Sequence, residues 1–195
     1  MKKPIAIALI IAGAGFLSLC GMVSLGFIWL AGSTPLPVSE SDTQVIVTAS
    51  DLIPYFDNYS PTIESETFGK TKYLDQSVEL TYEYDSPNQD DPFISVTVSY
   101  EVSAGDAAGV YLGTWTFQQL GLNVEDQNFE LQELDSFFNA GDRSRFANII
   151  FNGEPVGHLL VVQKGNTVYS FIISGFLIDD PTVWMELFQE RIQSL

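Results

Sequence analysis

The chain of 195 residues contains 25 acidic and 8 basic residues, which give it a net charge of −17, together with one cysteine and one histidine. A field of this sign disfavours nucleic acids and anionic lipid surfaces as partners. A single histidine and a single cysteine are too few for a zinc site made of several such ligands in one chain. The composition therefore excludes nucleic-acid binding and His/Cys-based zinc chemistry from the predicted functions.

An uncharged apolar segment of 27 residues, 5–31, follows Lys2 and Lys3 after a single intervening proline. A helix of that length is roughly 40 Å long, which is enough to cross a ~30 Å hydrocarbon layer with some tilt. Because cationic flanks favour the cytoplasmic side, the N-terminus is expected inside and the rest of the chain outside. We predict that residues 1–32 form a transmembrane anchor that contacts the lipid bilayer through residues 5–31. The protein is thus expected in the cell membrane as a single-pass protein with an extracytoplasmic C-terminal domain.

Alternatives to an uncleaved anchor stay open at this point. Cleavage of a signal peptide near Ala31 would require an apolar core of about 7 to 15 residues, which is much shorter than this segment. Lipid attachment at Cys20 would place the bulky Leu19 where lipoprotein signals resemble one another in having a small residue. The four-residue spacing of Ala8 and Ala12 is typical of closely approaching membrane helices. Association through the anchor is therefore a further alternative, and the oligomeric state is not determined.

Residues 33–42 contain two prolines and several polar residues, which favour an extended, poorly packed linker. Residues 43–195 have the length of one domain. All 25 acidic residues but only six basic ones lie at or beyond Glu40, so this outer part carries a charge of −19. Since Cys20 precedes it, the domain has no internal disulfide and depends on its own core.

Alternation of apolar and polar residues, or short apolar runs between turn signals, predicts a series of strands. The expected strands are 72–84, 93–102, a weaker one near 129–133, 143–151, 156–163 and 167–174. Asn152-Gly153 and Gly165-Asn166 are turn-forming pairs, so the last three strands are expected to form an antiparallel meander.

Two segments have helical periodicity. Residues 106–121 place Ala108, Leu112 and Trp115 three and four positions apart, and residues from Pro181 onward carry a broad apolar stripe. Asp180 before Pro181 is a typical N-cap followed by proline in the first turn. The predicted fold class is α+β: an N-terminal transmembrane helix and then an antiparallel sheet of five or six strands with two main helices packed on one face.

The C-terminal part, residues 142–195, has the order G-D-R-S-R-F, two hairpins through K-G-N-T-V-Y-S-F-I-I-S-G, and a terminal helix ending in R-I-Q-S-L. This pattern resembles the closing half of PsbP-like extracytoplasmic domains. The resemblance implies a curved antiparallel sheet that carries helices on its faces, in a protein that is anchored to a membrane or exported. It also implies an accessory or binding role and transfers no functional residue to this chain.

The only histidine, His158, is predicted to be a hydrogen-bonded structural residue or an edge residue. It shares a strand face with Leu160 and Val162, and the chain has no G-x-S-x-G element that would support a serine triad. Its neighbourhood therefore favours packing over catalysis.

The carboxylates also favour structural roles. Glu79 and Glu83 lie on the solvent face of one strand, about 13 Å apart by strand rise, which is too far for a glycosidase pair. Asp179 and Asp180 precede a helix, where capping accounts for them. Calcium binding by Asp91 with its neighbours Asn88 and Asp90 is left open, because the residues supply oxygen ligands but not the EF-hand spacing.

Two further sequence patterns indicate no catalytic site. Asn58 begins an Asn-Tyr-Ser sequence, which is a glycosylation acceptor only in a eukaryotic secretory setting. Gly105, Gly109 and Gly113 recur four apart without the Lys-Ser/Thr of a P-loop, and close packing of their helix on the sheet is the expected reason for them.

These observations assign no catalytic, cofactor-binding or metal-binding residue. The leading hypothesis is a non-catalytic binding or accessory domain, whose partner is another envelope protein or a small ligand in a cleft between sheet and helix. A carboxylate-dependent hydrolase and a structural envelope protein that associates through its membrane helix are the alternatives.

Overall fold

A computed structural model describes residues 33–56, 59–88, 91–125 and 128–195, with residues 121–125 described by their backbone alone. The predicted anchor, residues 1–32, lies outside these ranges. None of the helices in the described ranges combines the length and the apolar character that crossing a bilayer requires.

The described residues form one sheet of eight antiparallel strands, in the spatial order β1-β2-β3-β4-β8-β7-β6-β5. The strands are β1 Thr34–Pro35, β2 Glu66–Lys72, β3 Val78–Asp85, β4 Phe93–Tyr100, β5 Phe129–Glu133, β6 Arg143–Phe151, β7 Glu154–Lys164 and β8 Thr167–Ser174. The predicted meander is confirmed as β6, β7 and β8. Asn152 (φ 52°) and Gly153 (φ 79°) form its first turn in the left-handed conformation that a two-residue hairpin needs.

Within the described ranges, three α-helices accompany the sheet: α1 Glu40–Gln44, α2 Ala104–Glu125 and α3 Pro181–Ser194. Two 3₁₀ helices, Ala49–Tyr55 and Ile63–Ser65, lie in the segment before β2. The predicted start of α3 is confirmed, since the Asp180 carboxylate accepts a hydrogen bond from the backbone N–H of Thr182 at 2.8 Å. This cap satisfies one of the free donors of the first turn.

Helix α3 covers one side of the sheet, which we call the first face. Its Trp184 and Phe188 are fully buried, and both rings meet Phe171 of β8 edge-on, at 5.8 and 4.9 Å between centroids. Edge-to-face contacts of this kind are favourable beyond the apolar area they bury. The core of the domain therefore lies between α3 and the central strands.

Helix α2 covers the opposite side, the second face. Its Ala107, Tyr111 and Trp115 are buried in a separate apolar cluster that includes Val161 of β7 and Ile172 of β8. The domain thus has three layers, with the sheet between two helices.

The predicted architecture is wrong in two respects: the sheet has eight strands instead of five or six, and its two long helices lie on opposite faces instead of one. The physical reason for the second error is the unbroken apolar run 159–162 of β7. Leu160 and Val162 bury on the first face while Leu159 and Val161 bury on the second. A strand that is apolar on both sides needs a cover on both sides.

The two missed strands lack a pattern to detect. β2 has the sequence ETFGKTK, which mixes polar residues and a glycine, and β1 has only two residues. β2 forms by pairing with the edge of β3, and β1 forms by pairing with the edge of β2. Their pairing is a tertiary effect that local propensity does not predict.

The region expected to be an extended linker, residues 33–42, also differs from the expectation. Thr34 pairs with Lys72, and the Asp42 carboxylate forms an ion pair with Lys70 at 2.7 Å. Ser39 caps α1 in a reciprocal capping box with Asp42. Residues from Thr34 onward are therefore part of the described fold.

Buried tyrosines attach the segment before β2 to the first face. The backbone N–H of Val47 donates to the Tyr169 hydroxyl at 3.1 Å, and that of Ala49 donates to the Tyr82 hydroxyl at 2.8 Å. Each hydroxyl satisfies a backbone donor that is buried outside the strand ladders.

Candidate functional site

The second face of the sheet is divided into an apolar half and a polar half. Helix α2 packs over β5, β7 and β8. The remaining part of this face belongs to β2, β3 and β4, together with the adjoining residue of β8. Its side chains are Thr67, Thr71, Glu79, Thr81, Glu83, Ser95, Thr97, Ser99 and Ser170. We call the seven serine and threonine side chains of this set the hydroxyl face.

The register of the strands brings these hydroxyl groups next to one another. Thr81 pairs with Thr97, and Thr97 pairs with Ser170, in a row that crosses three strands. Neighbouring strands lie about 4.8 Å apart, so the row places a hydroxyl group at each step of about that length. A single row of this kind can donate and accept hydrogen bonds along an extended polar ligand.

The polar half stays open because its residues need no apolar cover. Leu80, Tyr82 and Val96 point to the first face and are buried there, so the intervening residues point to the second face. Thr81 and Thr97 are partly exposed in the described structure, whereas Ser99 and Ser170 are buried. An antiparallel sheet with one polar side can remain solvated on that side.

Two carboxylates lie within the polar half. Glu79 accepts a hydrogen bond from the Tyr73 hydroxyl at 3.0 Å, and partial burial raises the pKa of its carboxyl group while that hydrogen bond lowers it. The pKa of Glu83 is also raised, first by partial burial and then by the negative charge of Asp85. The two carboxylates are four residues apart on one strand, about 13 Å, which is longer than either glycosidase arrangement.

Cation–π contacts fix α2 beside the polar half. The Arg143 guanidinium lies 4.7 Å from the ring centroid of Tyr111, and that of Arg145 lies 5.0 Å from the ring centroid of Trp115. Both arginines belong to β6, and Arg145 also contacts Glu133 of β5 at 3.1 Å. These contacts stabilise the position of the helix over one half of the sheet and leave the other half open.

His158 is a hydrogen-bonded structural residue, as predicted, although β7 lies inside the sheet and not at an edge. Its Nε2 accepts a hydrogen bond from the backbone N–H of Ile178 at 2.9 Å, so its Nδ1 carries the proton and donates to the Asn148 side-chain oxygen at 3.0 Å. Burial lowers the pKa of the imidazole to about 4, against an opposing effect of Asp179. The ring stays neutral and has no free nitrogen for chemistry.

The predicted calcium candidates are only partly described. Asp90 lies outside the described residues, as does Asn58, the glycosylation candidate. The Asp91 carboxylate accepts hydrogen bonds from the hydroxyl groups of Tyr84 and Ser86 and from the side-chain amide of Asn88. In the described ranges the structure contains no group of three metal-ligating side chains. Asp91 organises the β3–β4 loop through these bonds.

The interpretation of the helical glycines is wrong. A Cβ atom added at Gly109 or Gly113 would meet no atom within 4 Å, so these residues lie on the outer side of α2 and do not pack against the sheet. Leu112 and Leu120 are exposed on the same helix. The prediction fails because period-four spacing alone does not say which side of a helix faces the core.

The hydroxyl face is the feature that the sequence search did not identify. Its signal was present as Ser95, Thr97 and Ser99, which alternate with buried residues along β4. What the sequence does not indicate is that β3 pairs with β4 and β4 with β8, which joins separate hydroxyl groups into one surface.

Comparisons of this chain with protein-family models, curated proteins and solved structures found no match. The resemblance to PsbP-like domains therefore stays a prediction. The fold defines the class of the domain: three layers, with an antiparallel sheet between two helices and a polar half-face beside one of them.

Proposed function

We propose that this protein is a single-pass, membrane-anchored extracytoplasmic binding protein, and that its domain holds its partner on the hydroxyl face instead of catalysing a reaction. The observation that carries the proposal is the row formed by Thr81, Thr97 and Ser170, in which Thr81 and Thr97 are partly exposed and Ser170 is buried. The other sheet surfaces of the domain are covered by apolar clusters. A small number of polar groups that converge next to a helix is typical of a recognition surface.

The proposed location is supported by the sequence before the fold. Residues 5–31 are uncharged, and Lys2 and Lys3 are the only basic residues before Lys70. That arrangement is the usual signature of an N-terminus held in the cytoplasm. Possession of an acidic, disulfide-free outer domain is consistent with this location.

The chemistry of the face restricts its partner. Serine and threonine hydroxyl groups both donate and accept hydrogen bonds, and Glu79 and Glu83 add negative charge on either side of Thr81 along β3. The domain charge of −19 reinforces that sign. The partner is accordingly a polar small ligand or a loop of another envelope protein that presents hydrogen-bonding groups and positive charge, and not a nucleic acid.

The geometry of the two carboxylates in the polar half and of His158 favours binding over hydrolysis. Glu79 and Glu83 are too far apart to act together, and both nitrogens of His158 are occupied. Turnover of a peptide, glycan or phosphoester that disappears in Glu79→Gln would overturn this part of the proposal.

Site-specific photocrosslinking in cells that express the full chain tests the binding surface. A photoreactive residue at Thr97 is expected to give a discrete adduct that the second substitution Thr81→Arg abolishes. The same photoreactive residue at Thr116, which is exposed on α2, is the matched control. Adducts that are equal at both positions, or that survive Thr81→Arg, would contradict the proposal. A small ligand is sought in parallel by native mass spectrometry of the purified full chain.

A further inference from the structure

The first described strand lies close in sequence to the apolar segment 5–31. Thr34 pairs with Lys72, and the backbone N–H of Leu36 donates to the carbonyl of Lys70 at 2.8 Å. Only two residues separate Ala31, the last of the apolar segment, from Thr34. Three residue steps span at most about 10 Å, so no stalk stands between that segment and the sheet.

The register shows which end of the sheet this connection reaches. Lys72, the partner of Thr34, pairs with Val78. Val78 pairs with Tyr100, and Tyr100 pairs with Thr167. The end of the sheet next to Thr34 therefore contains the β2–β3 turn (residues 73–77), the residues after β4 (101–103) and the β7–β8 turn (165–166). We call it the proximal end.

Two large apolar side chains project at the proximal end. Leu74 is 61% exposed in the β2–β3 turn, and Val102 is 62% exposed between β4 and α2. The turn around Leu74 is closed by a hydrogen bond from the N–H of Tyr73 to the carbonyl of Ser77 at 2.9 Å. Leu74 is thus held outward on a fixed turn.

The charges at the proximal end determine which kind of lipid surface it can contact. The pKa of Glu101 is raised by partial burial and then by the nearby negative charges of Asp75 and Asp106. Lys72 and Lys164 supply positive charge, and the Lys164 ammonium is bonded to the carbonyls of the last turn of α3. An acidic end of this kind is repelled by anionic lipid but not by zwitterionic headgroups.

We infer that the proximal end lies against the outer surface of the membrane, with Leu74 and Val102 in the interfacial layer of zwitterionic lipid. The inference rests on the proposed anchoring of residues 5–31 and adds an orientation to it. The second face then stands roughly upright on the bilayer, which leaves the hydroxyl face accessible from the side.

Ile63 provides a matched control for this orientation. It is 80% exposed, more than Leu74 or Val102, but it lies before β2, at the opposite end of that strand. The seven residues of β2 separate the two ends of the sheet by about 20 Å. A label at Ile63 therefore reports on an exposed apolar position that is away from the inferred contact.

The experiment uses the full chain with Cys20→Ser, reconstituted in phosphatidylcholine vesicles. Single cysteines at Leu74, Val102 and Ile63 in turn carry an environment-sensitive fluorophore. At Leu74 and Val102 we expect a blue-shifted emission and strong quenching by a lipid-attached quencher, and at Ile63 an emission typical of water. Adding anionic lipid is expected to weaken the blue shift.

The outcomes distinguish failure of the inferred orientation from failure of the proposed membrane anchor. If labels at Leu74 and Val102 are as water-accessible as the label at Ile63, while the chain resists extraction with alkaline carbonate, the inferred orientation is wrong and the proposed membrane anchor is retained. If carbonate releases the chain, both the proposed anchor and the inferred orientation are wrong. A stronger blue shift in anionic vesicles would overturn the choice of lipid surface.

Discussion

The imidazole of His158 accepts a hydrogen bond at Nε2 from the backbone N–H of Ile178, 2.9 Å away. This bond joins β7 to the segment that leads into α3, and it lies beside the ring of Trp184, whose indole N–H donates to the carbonyl of the same Ile178 at 2.8 Å. The two bonds together attach the beginning of α3 to the sheet. Because Nε2 must stay unprotonated to accept, the attachment depends on pH.

His158 is therefore expected to make the domain less stable in acid. Its pKa is lowered from 6.5 to about 4 in the folded state, so the unfolded state binds the proton first as the pH falls. The contribution of neutral His158 is present above pH 6.5, is lost as the pH falls towards 4, and changes no further below that. We expect a loss of about 2 kcal/mol in the free energy of unfolding between pH 7 and pH 5.

Chemical denaturation of the full chain in detergent at several pH values measures this effect. His158→Gln is expected to be less stable at pH 7 but to lack that part of the pH dependence. An identical pH profile in the wild type and in His158→Gln would show that the imidazole is not the titrating group.

The hydroxyl group of Tyr169 is expected to stabilise the domain through Val47. Tyr169→Phe leaves the buried N–H of Val47 without an acceptor, which should cost about 1 to 3 kcal/mol of unfolding free energy. Tyr55→Phe is the control, because the Tyr55 hydroxyl bonds to Glu186 at an exposed site. Equal losses in the two variants, measured by thermal or denaturant unfolding, would contradict the structural role of the Tyr169 hydroxyl.

The outward-facing glycines of α2 are expected to be sites of stabilisation. Gly109→Ala and Gly113→Ala should each raise the unfolding free energy by about 1 kcal/mol, because alanine favours the helix and its Cβ meets nothing. Gly157→Ala is the opposite case, since its Cβ would collide with the carbonyl of Ile173 on β8. If Gly109→Ala and Gly113→Ala instead lower the unfolding free energy, another group must pack against the outer side of α2.

Glu79 is expected to lower stability at neutral pH. Partial burial raises the pKa of its carboxyl group in the folded state, so the unfolded state releases the proton first as the pH rises. The folded state is therefore penalised above the titration range of this group and not below it. Glu79→Gln should raise the free energy of unfolding at pH 7 and have little effect at pH 3.

Glu130→Gln serves as the control, because Glu130 is an exposed carboxylate on β5 at the edge of the sheet. Unfolding at pH 7 and pH 3 of both variants and the wild type gives the comparison. A gain at pH 7 that is no larger for Glu79→Gln than for Glu130→Gln would mean that burial of Glu79 costs nothing.

Several elements could be predicted because their signals are local. The meander β6–β7–β8 has turn residues at Asn152-Gly153 and Gly165-Asn166, and α3 has a cap at Asp180 followed by proline. Each of these signals acts within a few residues, through backbone conformation or through one hydrogen bond. The corresponding elements are present with nearly the expected bounds.

Other features could not be predicted because they depend on strands that are distant in the chain. β2 exists by pairing with β3, and the row Thr81–Thr97–Ser170 exists only when β3, β4 and β8 lie side by side. Local sequence patterns therefore predict neither the number of strands nor the candidate site.

The sequence by itself determined the charge of the domain, the lack of an internal disulfide, the apolar segment 5–31 and the order of the hairpins and long helices, because these follow from composition and short-range periodicity. Only the tertiary structure decided that α2 and α3 lie on opposite faces and that half of one face stays polar and open. The reason is that β7, which is apolar on both sides, lies in the interior of the sheet and requires cover on both faces, whereas β2 and β3 do not.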